Sequence, residues 1–197
     1  MKIIDLKKNK GQYSKGFTLV ETMFAVVILT FTIVALMTVV ASSLFEARYA
    51  RDEVTVNYLL QEVIDAVRND RDTTVFLSAN GNWNDFLSHY TQCSNESTGC
   101  YFDVLSPNST PKQCNIDSGC PYLYYNQNAD VTPYYVNDDG SGMTGMAKTS
   151  FQRKIVVKVN GSNPDEIDVT VTISWLNGGM ALSRSLNTSF LKWQQTL

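Results

Sequence analysis

One carboxylate interrupts a long uncharged stretch. Residues 15–24 read KGFTLVETMF, and after Glu21 no charged side chain follows until Glu46. An ionised carboxylate facing hydrocarbon costs about 3 kcal/mol or more, so this position calls for a cationic partner. The Gly16–Phe17 junction offers one. A cut there would remove the basic start of the chain and keep the apolar segment. It would also create an α-amino group on Phe17, one helical turn from Glu21. Within one chain the two groups are near but poorly oriented for a close bond. Between related helices packed side by side with a small axial shift, Glu21 of one meets the Phe17 ammonium of the next. Pairing the charges offsets the desolvation of each, and a slip in register leaves both unpaired. Glu21 therefore reads as an assembly residue rather than a catalyst, and Gly16 and Phe17 as processing positions.

The other groups able to do chemistry are few. Cys93, Cys100, Cys114 and Cys120 all lie beyond the apolar segment. An even number in an exported domain predicts two disulfides, although sequence alone allows three pairings. Sequential pairing, Cys93–Cys100 and Cys114–Cys120, closes short loops and is preferred. Free or metal-binding thiols are the alternative, but four-cysteine zinc sites usually pair two close CxxC-like hooks, and these spacings are longer. His89 is the only histidine, with no aligned Ser or Asp set around it. No enzyme, cofactor or metal is expected. The run Asn137–Gly142 has oxygen ligands beside glycine but lacks full calcium-loop spacing and the distal glutamate, so it reads as a solvated turn. Asn-x-Ser/Thr sequons at Asn95, Asn108, Asn160 and Asn187 matter only in a cell with eukaryotic-type glycosylation.

The elements that must position these groups divide the chain into five zones. Residues 1–16 form a basic leader with five lysines against one aspartate. Its side chains carry +4 and the rest of the chain −7, within a net charge of −3. No later basic stretch compares, so direct nucleic-acid binding has little electrostatic support. Residues 17–45 form a membrane helix: Thr22–Phe45 gives 24 uncharged residues, where about 20 suffice to cross a bilayer. Lysines before the span and mixed charges after it place the N-terminus in the cytoplasm and the bulk of the chain outside.

Residues 46–72 continue the helix. Val56, Leu59, Leu60, Val63, Ile64 and Val67 share one side at helical spacing, and Asp52, Glu53, Gln61, Glu62, Asp65 and Arg68 mostly take the other. No Gly or Pro falls between Phe17 and Asp72, so one helix of about 55 residues is expected. Residues 73–150 read as long loops with short elements, fastened by the disulfides and rich in tyrosine; WNDFLSHY suits a short helix carrying Trp83, Phe86, Leu87 and Tyr90. Residues 151–197 form an antiparallel sheet region. In EIDVTVTISW, Ile167, Val169, Val171, Ile173 and Trp175 alternate with polar residues. The strand before it directs Ile155, Val157 and Val159 inward. NGSNPD is a turn, Asn177–Gly178 favours a tight hairpin, and Met180, Leu182, Leu186 and Phe190 supply a third strand. The apolar faces of this meander and of the helix satisfy each other by packing.

The segment Lys15–Gly16–Phe17–Thr18–Leu19–Val20–Glu21, followed by the long uncharged helix, resembles the N-terminus of type IV prepilins and type II secretion pseudopilins. The match covers about 30 residues. It implies an α+β, pilin-like fold: a long N-terminal helix, its outer half packed on an antiparallel sheet. It implies cleavage after Gly16 by a prepilin peptidase and N-methylation of Phe17. Glu21 would guide the subunit into a filament with other pilin or pseudopilin subunits, delivered from the lipid bilayer by an inner-membrane assembly platform. VTVTISWLNGGMALSRSLNTSF is similar to the final hairpin of minor pilins of the PilV kind and of small pseudopilins related to GspI. Thr38 stands where many major pilins carry a helix-bending proline, which favours a minor subunit. The expectation is a minor pilin. A pseudopilin of a type II secretion system, or a signal-anchored outer domain that never polymerises, are the alternatives.

Overall fold

The computed structural model describes residues 16–77, 82–105, 109–126, 134–137 and 145–192. The chain divides into two compact units, Met1–Glu46 and Ala47–Leu197. Helix α1, Leu19–Asp72, contributes to both. In the first unit every described residue, from Gly16 to Glu46, is exposed. The helix is long and apolar enough to cross a membrane, with a mean hydropathy of 2.7 over its most apolar window.

The second unit holds the core. Its part of α1 buries Val56, Leu59, Leu60, Val63, Ile64 and Val67, the stripe expected from the spacing. Burying one such side chain contributes about 1.5–3 kcal/mol, whereas an exposed ion pair contributes about 0–1 kcal/mol. The stripe, rather than surface charge, holds the helix in place. A π-helical turn, Thr73–Leu77, extends α1. Helix α2, Trp83–His89, starts in a capping box: Asn82 Oδ1 accepts the N–H groups of Asn84 and Asp85 at 2.8 and 3.1 Å, and Asp85 Oδ2 accepts the Asn82 N–H at 3.3 Å. Trp83 and Phe86 are buried, and Trp83 Nε1 donates to the Pro164 carbonyl at 3.1 Å.

Among the described residues, seven strands form one antiparallel sheet. They are β1 (Cys100–Tyr101), β2 (Lys112–Gln113), β3 (Tyr122–Asn126), β4 (Tyr135–Asn137), β5 (Met146–Asn160), β6 (Asn163–Asn177) and β7 (Met180–Leu191). β5 is central. It pairs with β6 on one edge and with β3 and β1 on the other; β7, β4 and β2 flank these. The β5–β6–β7 meander is in register with Ile155 opposite Val171, and Val171 opposite Leu186. On β6, Ile167, Val169, Val171 and Ile173 are fully buried and Trp175 nearly so, as the alternation predicts.

Three details differ from expectation. The turn between β6 and β7 is Gly178–Gly179, with φ of 58° and 86° and Asn177 opposite Met180. Both central residues need positive φ, and a second glycine meets that demand better than asparagine. Val159 is half-exposed at the end of β5, beside a register shift. Val156, on the outer face, is buried instead. The turn through Glu96 covers that face: Lys158 Nζ pairs with Glu96 at 2.8 Å, and Lys154 Nζ donates to the Glu96 carbonyl at 3.4 Å.

Candidate functional site

The residues singled out at the start of the chain fall within one helical entry. Gly16 and Phe17 precede α1, and Phe17 is 74% exposed. A Cβ on Gly16 would meet nothing within 4 Å, so the fold itself makes no demand for glycine there. Thr18 is the cap. Its Oγ1 accepts the Glu21 N–H at 3.3 Å, and its carbonyl accepts the Thr22 N–H at 3.2 Å. Thr18-x-x-Glu21 is the spacing of a capping box, a pattern that was open to view in the sequence. Glu21 lies in the first turn, exposed, where the positive end of the helix dipole favours a carboxylate. The cap bond uses the Glu21 backbone N–H and makes no demand on its side chain, so the dipole is the local feature that favours an acid at this position without a second chain.

Beyond Glu21 the polar hydroxyls are turned back on the helix. Thr22, Thr30, Thr32 and Thr38 donate to carbonyls three residues earlier at 2.7–2.8 Å. Ser42 and Ser43 both donate to the Val39 carbonyl at 2.9 Å. These bonds satisfy the hydroxyls internally. What remains on the surface is apolar, with Glu21 the one charge among the described residues before Glu46.

The cysteines pair sequentially, Cys93 with Cys100 and Cys114 with Cys120. Cys93 and Cys100 lie in the core, and their bond ties the turn after α2 to β1. The second bond closes a loop in which Asn115 and Gly119 exchange backbone hydrogen bonds at 3.2 and 3.0 Å. His89 is separate from both. Its Nδ1 lies 3.1 Å from Asp70 Oδ2, joining α2 to the end of α1. Burial, reinforced by Asp70, pushes the neighbouring Tyr90 hydroxyl far above its ordinary pKa.

Two positions were not anticipated. Arg153 of β5 is fully buried, with Nη1 2.9 Å from Glu62 Oε2, and Nη2 donating to the Phe102 carbonyl at 3.3 Å and to Asn137 Oδ1 at 3.0 Å. Burial lifts the Glu62 carboxyl above its usual pKa, against the pull of Arg153. Burial also lowers Arg153 from its usual value, against the pull of Glu62. Arginine nevertheless stays protonated. The signal was present: Arg153 shares the period-two face of Phe151 and Ile155, so the alternation already placed it inward.

The leader lysines, Asn108 and residues 138–142 of the suspected calcium loop lie outside the described residues. Among the described residues no group of His, Cys, Asp and Glu is arranged to hold a metal. Comparisons of the chain with protein-family models, with curated proteins and with solved structures find no match in any of the three.

Proposed function

We propose that this chain is a structural subunit, a minor pilin, of a type IV pilus-like filament. In this reading a prepilin peptidase cuts after Gly16 and methylates the new amine on Phe17. The subunit waits in the inner or plasma membrane with its C-terminal unit outside, then joins other pilin subunits at an assembly platform. The observation that carries the reading is Glu21: one carboxylate at the head of the exposed apolar part of α1, five residues from the Gly16 junction. Leaving the bilayer is feasible for such a helix only if neighbours bury its surface again. Phe17, Phe24, Phe31 and Leu36, each at least 66% exposed, are among the residues that neighbours would cover. A pseudopilin of a type II secretion system would use the same features.

A second reading has its own support. The helix dipole favours Glu21 locally, so a signal-anchored domain that never polymerises is compatible with the same geometry. Mass spectrometry of the native protein separates the two. The filament reading expects a mature N-terminus at Phe17, methylated. A chain that keeps residues 1–16 in cells with an active prepilin peptidase leaves only the anchored domain. Imaging of cells lacking the gene, scored together for pili and for secreted enzymes, divides pilin from pseudopilin. Loss of pili indicates the first; loss of secretion alone indicates the second.

A further inference from the structure

Strand β7 is an edge of the sheet: it pairs with β6, and among the described residues no strand pairs with its other side. The ladder shows which backbone groups that side leaves free. The Lys192 N–H, one residue past β7, donates to the Asp165 carbonyl at 2.7 Å. From Leu191 back to Met180 the pairing with β6 runs without a register shift. Along an antiparallel strand the backbone groups alternate between the two sides. The even-numbered residues therefore bond to β6, and Ala181, Ser183, Ser185, Asn187, Ser189 and Leu191 turn their N–H and C=O groups outward. All six are exposed.

An edge with free backbone groups pairs with another strand unless a proline, a bulge or an uncompensated charge blocks it. β7 has no proline and no bulge. Its one charged residue, Arg184, is tied to Glu53 of the chain's own α1 at 3.1 Å. At about 3.4 Å per residue the free edge is roughly 40 Å long. A row of alternating donors and acceptors of this length is matched by the backbone of an extended strand.

The side chains select the strand. Leu182 and Leu186, opposite the buried Trp175 and Val171 of β6, are only half-buried, so the apolar face stops unfinished at the edge. Laid antiparallel to a second copy about Leu186, β7 meets itself without conflict. Leu186 faces Leu186, Leu182 faces Phe190 and Arg184 faces Thr188; on the outer side Ser183 faces Ser189 and Ser185 faces Asn187. No like charges stand opposite one another, which would be destabilising. The six outward residues make pairs that each exchange two hydrogen bonds, about twelve in all; a stable interface carries about 10. A slip of two residues either way loses one pair and sets Leu182 against Thr188 or Lys192.

We infer that β7 is a self-pairing edge: two copies of this chain join through antiparallel β7 strands, centred on Leu186, into one continuous sheet. α1 runs the same way as β7, since Glu53 meets Arg184 while Arg68 and Arg71 meet Phe190. The joined copies therefore carry the second-unit parts of α1 antiparallel. The contact suits copies that approach from opposite directions, not neighbours standing side by side in one membrane. It lies apart from Glu21 and does not depend on the filament reading.

The test uses the full chain, disulfides intact, with detergent micelles in excess of protein, in sedimentation velocity over a concentration series. A reversible dimer is expected. Ser185→Pro removes an outward N–H and no bond to β6, and an edge strand accepts proline at such a position. Ser185→Lys sets two lysines on a diagonal across the contact. Each is expected to raise the dimer dissociation constant at least about tenfold, with the melting temperature unchanged at a dilution where the native chain is monomeric. If the proline lowers that temperature, the lysine variant decides alone. Register is read by cross-linking: two Leu186 Cα atoms in a non-hydrogen-bonded pair stand about 4.5 Å apart, within disulfide range, so Leu186→Cys should form a linked dimer and Arg184→Cys should not. Four results overturn the inference. The chain stays monomeric throughout; the dimer survives both Ser185 substitutions, which assigns it to another surface; Leu186→Cys links no better than Arg184→Cys; or a synthetic peptide of residues 181–191 binds a chain that never dimerises, which leaves β7 to a strand of a different protein.

Discussion

Arg153, with none of its side chain exposed, places Nη1 2.9 Å from Oε2 of Glu62, which lies 91 residues earlier in the chain. This pair joins the central strand of the sheet to the helix across an otherwise apolar interface. Desolvation of such a pair can cancel its Coulombic gain. It fixes the helix against the sheet at one position, because sliding the helix by a turn strands a buried guanidinium.

The two halves of the pair should not be equivalent. Glu62→Ala leaves a buried cation with two neutral acceptors, and about 3 kcal/mol of stability is expected to be lost. Arg153→Met removes the buried charge and fills much of the same volume. Glu62, 30% exposed, can then turn to water. The Phe102 and Asn137 oxygens lose a donor, which a carbonyl tolerates better than an amide N–H does. A smaller loss is expected, about 1–2 kcal/mol. Urea denaturation of the second unit's signal in the intact protein measures both, and a larger loss for Arg153→Met contradicts the account.

A second helix-to-sheet contact sets a pH dependence. Hydrogen bonds from Arg184 and then from Tyr49 hold the Glu53 carboxyl below its ordinary pKa. The Arg184 Nε contacts are 3.1 and 3.2 Å, and the Tyr49 hydroxyl donates at 2.8 Å. A folded pKa below the unfolded value, about 4.3 for glutamate, makes the contribution complete above that value. It is lost as pH falls through the folded pKa. Between pH 5 and pH 3, on the order of the unfolded value, the native protein should therefore lose more melting temperature than Glu53→Gln does. High salt should narrow the difference, since Arg184 is exposed. Parallel curves for the two proteins count against the contact.

The disulfides close loops of similar length, so chain entropy alone predicts similar losses on removal, about 2–3 kcal/mol each. Their surroundings differ. Cys93 and Cys100 are fully exclusive of solvent and belong to the main core, whereas Cys114 and Cys120 stand outside it. Replacing the first pair by alanine also opens a cavity next to β1, and should cost more than replacing the second. Thermal melts of the two double variants give the order, and a reversed order refutes the role assigned to the first bond.

The parts legible in the sequence are those with a sustained period. Val56 to Val67 repeat at helical spacing and Ile167 to Trp175 alternate, and both faces are buried as read. Strands β1 and β2 have two residues each and hold no period. β1 exists because β5, through Ile155 opposite Cys100, offers it an edge, and β1 offers one in turn to β2. The contact between Asp70 and His89 was illegible for the same reason: the two are 19 residues apart and meet only through the docking of α2. At the N-terminus the spacing of Thr18 and Glu21 is visible in the sequence beside the isolated charge, and the cap made by Thr18 follows from it.

Glu21, in the first turn of α1, is the most informative position in the chain, because two explanations of its charge diverge on one substitution. Glutamine keeps the shape and polarity of glutamate, but it cannot pair with an ammonium. If Glu21 acts only on the dipole of its own helix, Glu21→Gln and Glu21→Ala should both assemble like the native protein, each losing helix stability of about 1 kcal/mol at most. If it acts through the amine of a neighbouring Phe17, both variants should insert in the membrane and both should fail to enter filaments. Thr18→Ala supplies the control, since it weakens the cap and spares the charge; about 1 kcal/mol at a helix end should leave incorporation largely intact. Membrane fractionation and quantification of sheared filaments measure the two steps separately. The filament reading requires glutamine to behave like alanine. Normal incorporation of Glu21→Gln assigns the carboxylate to its own helix.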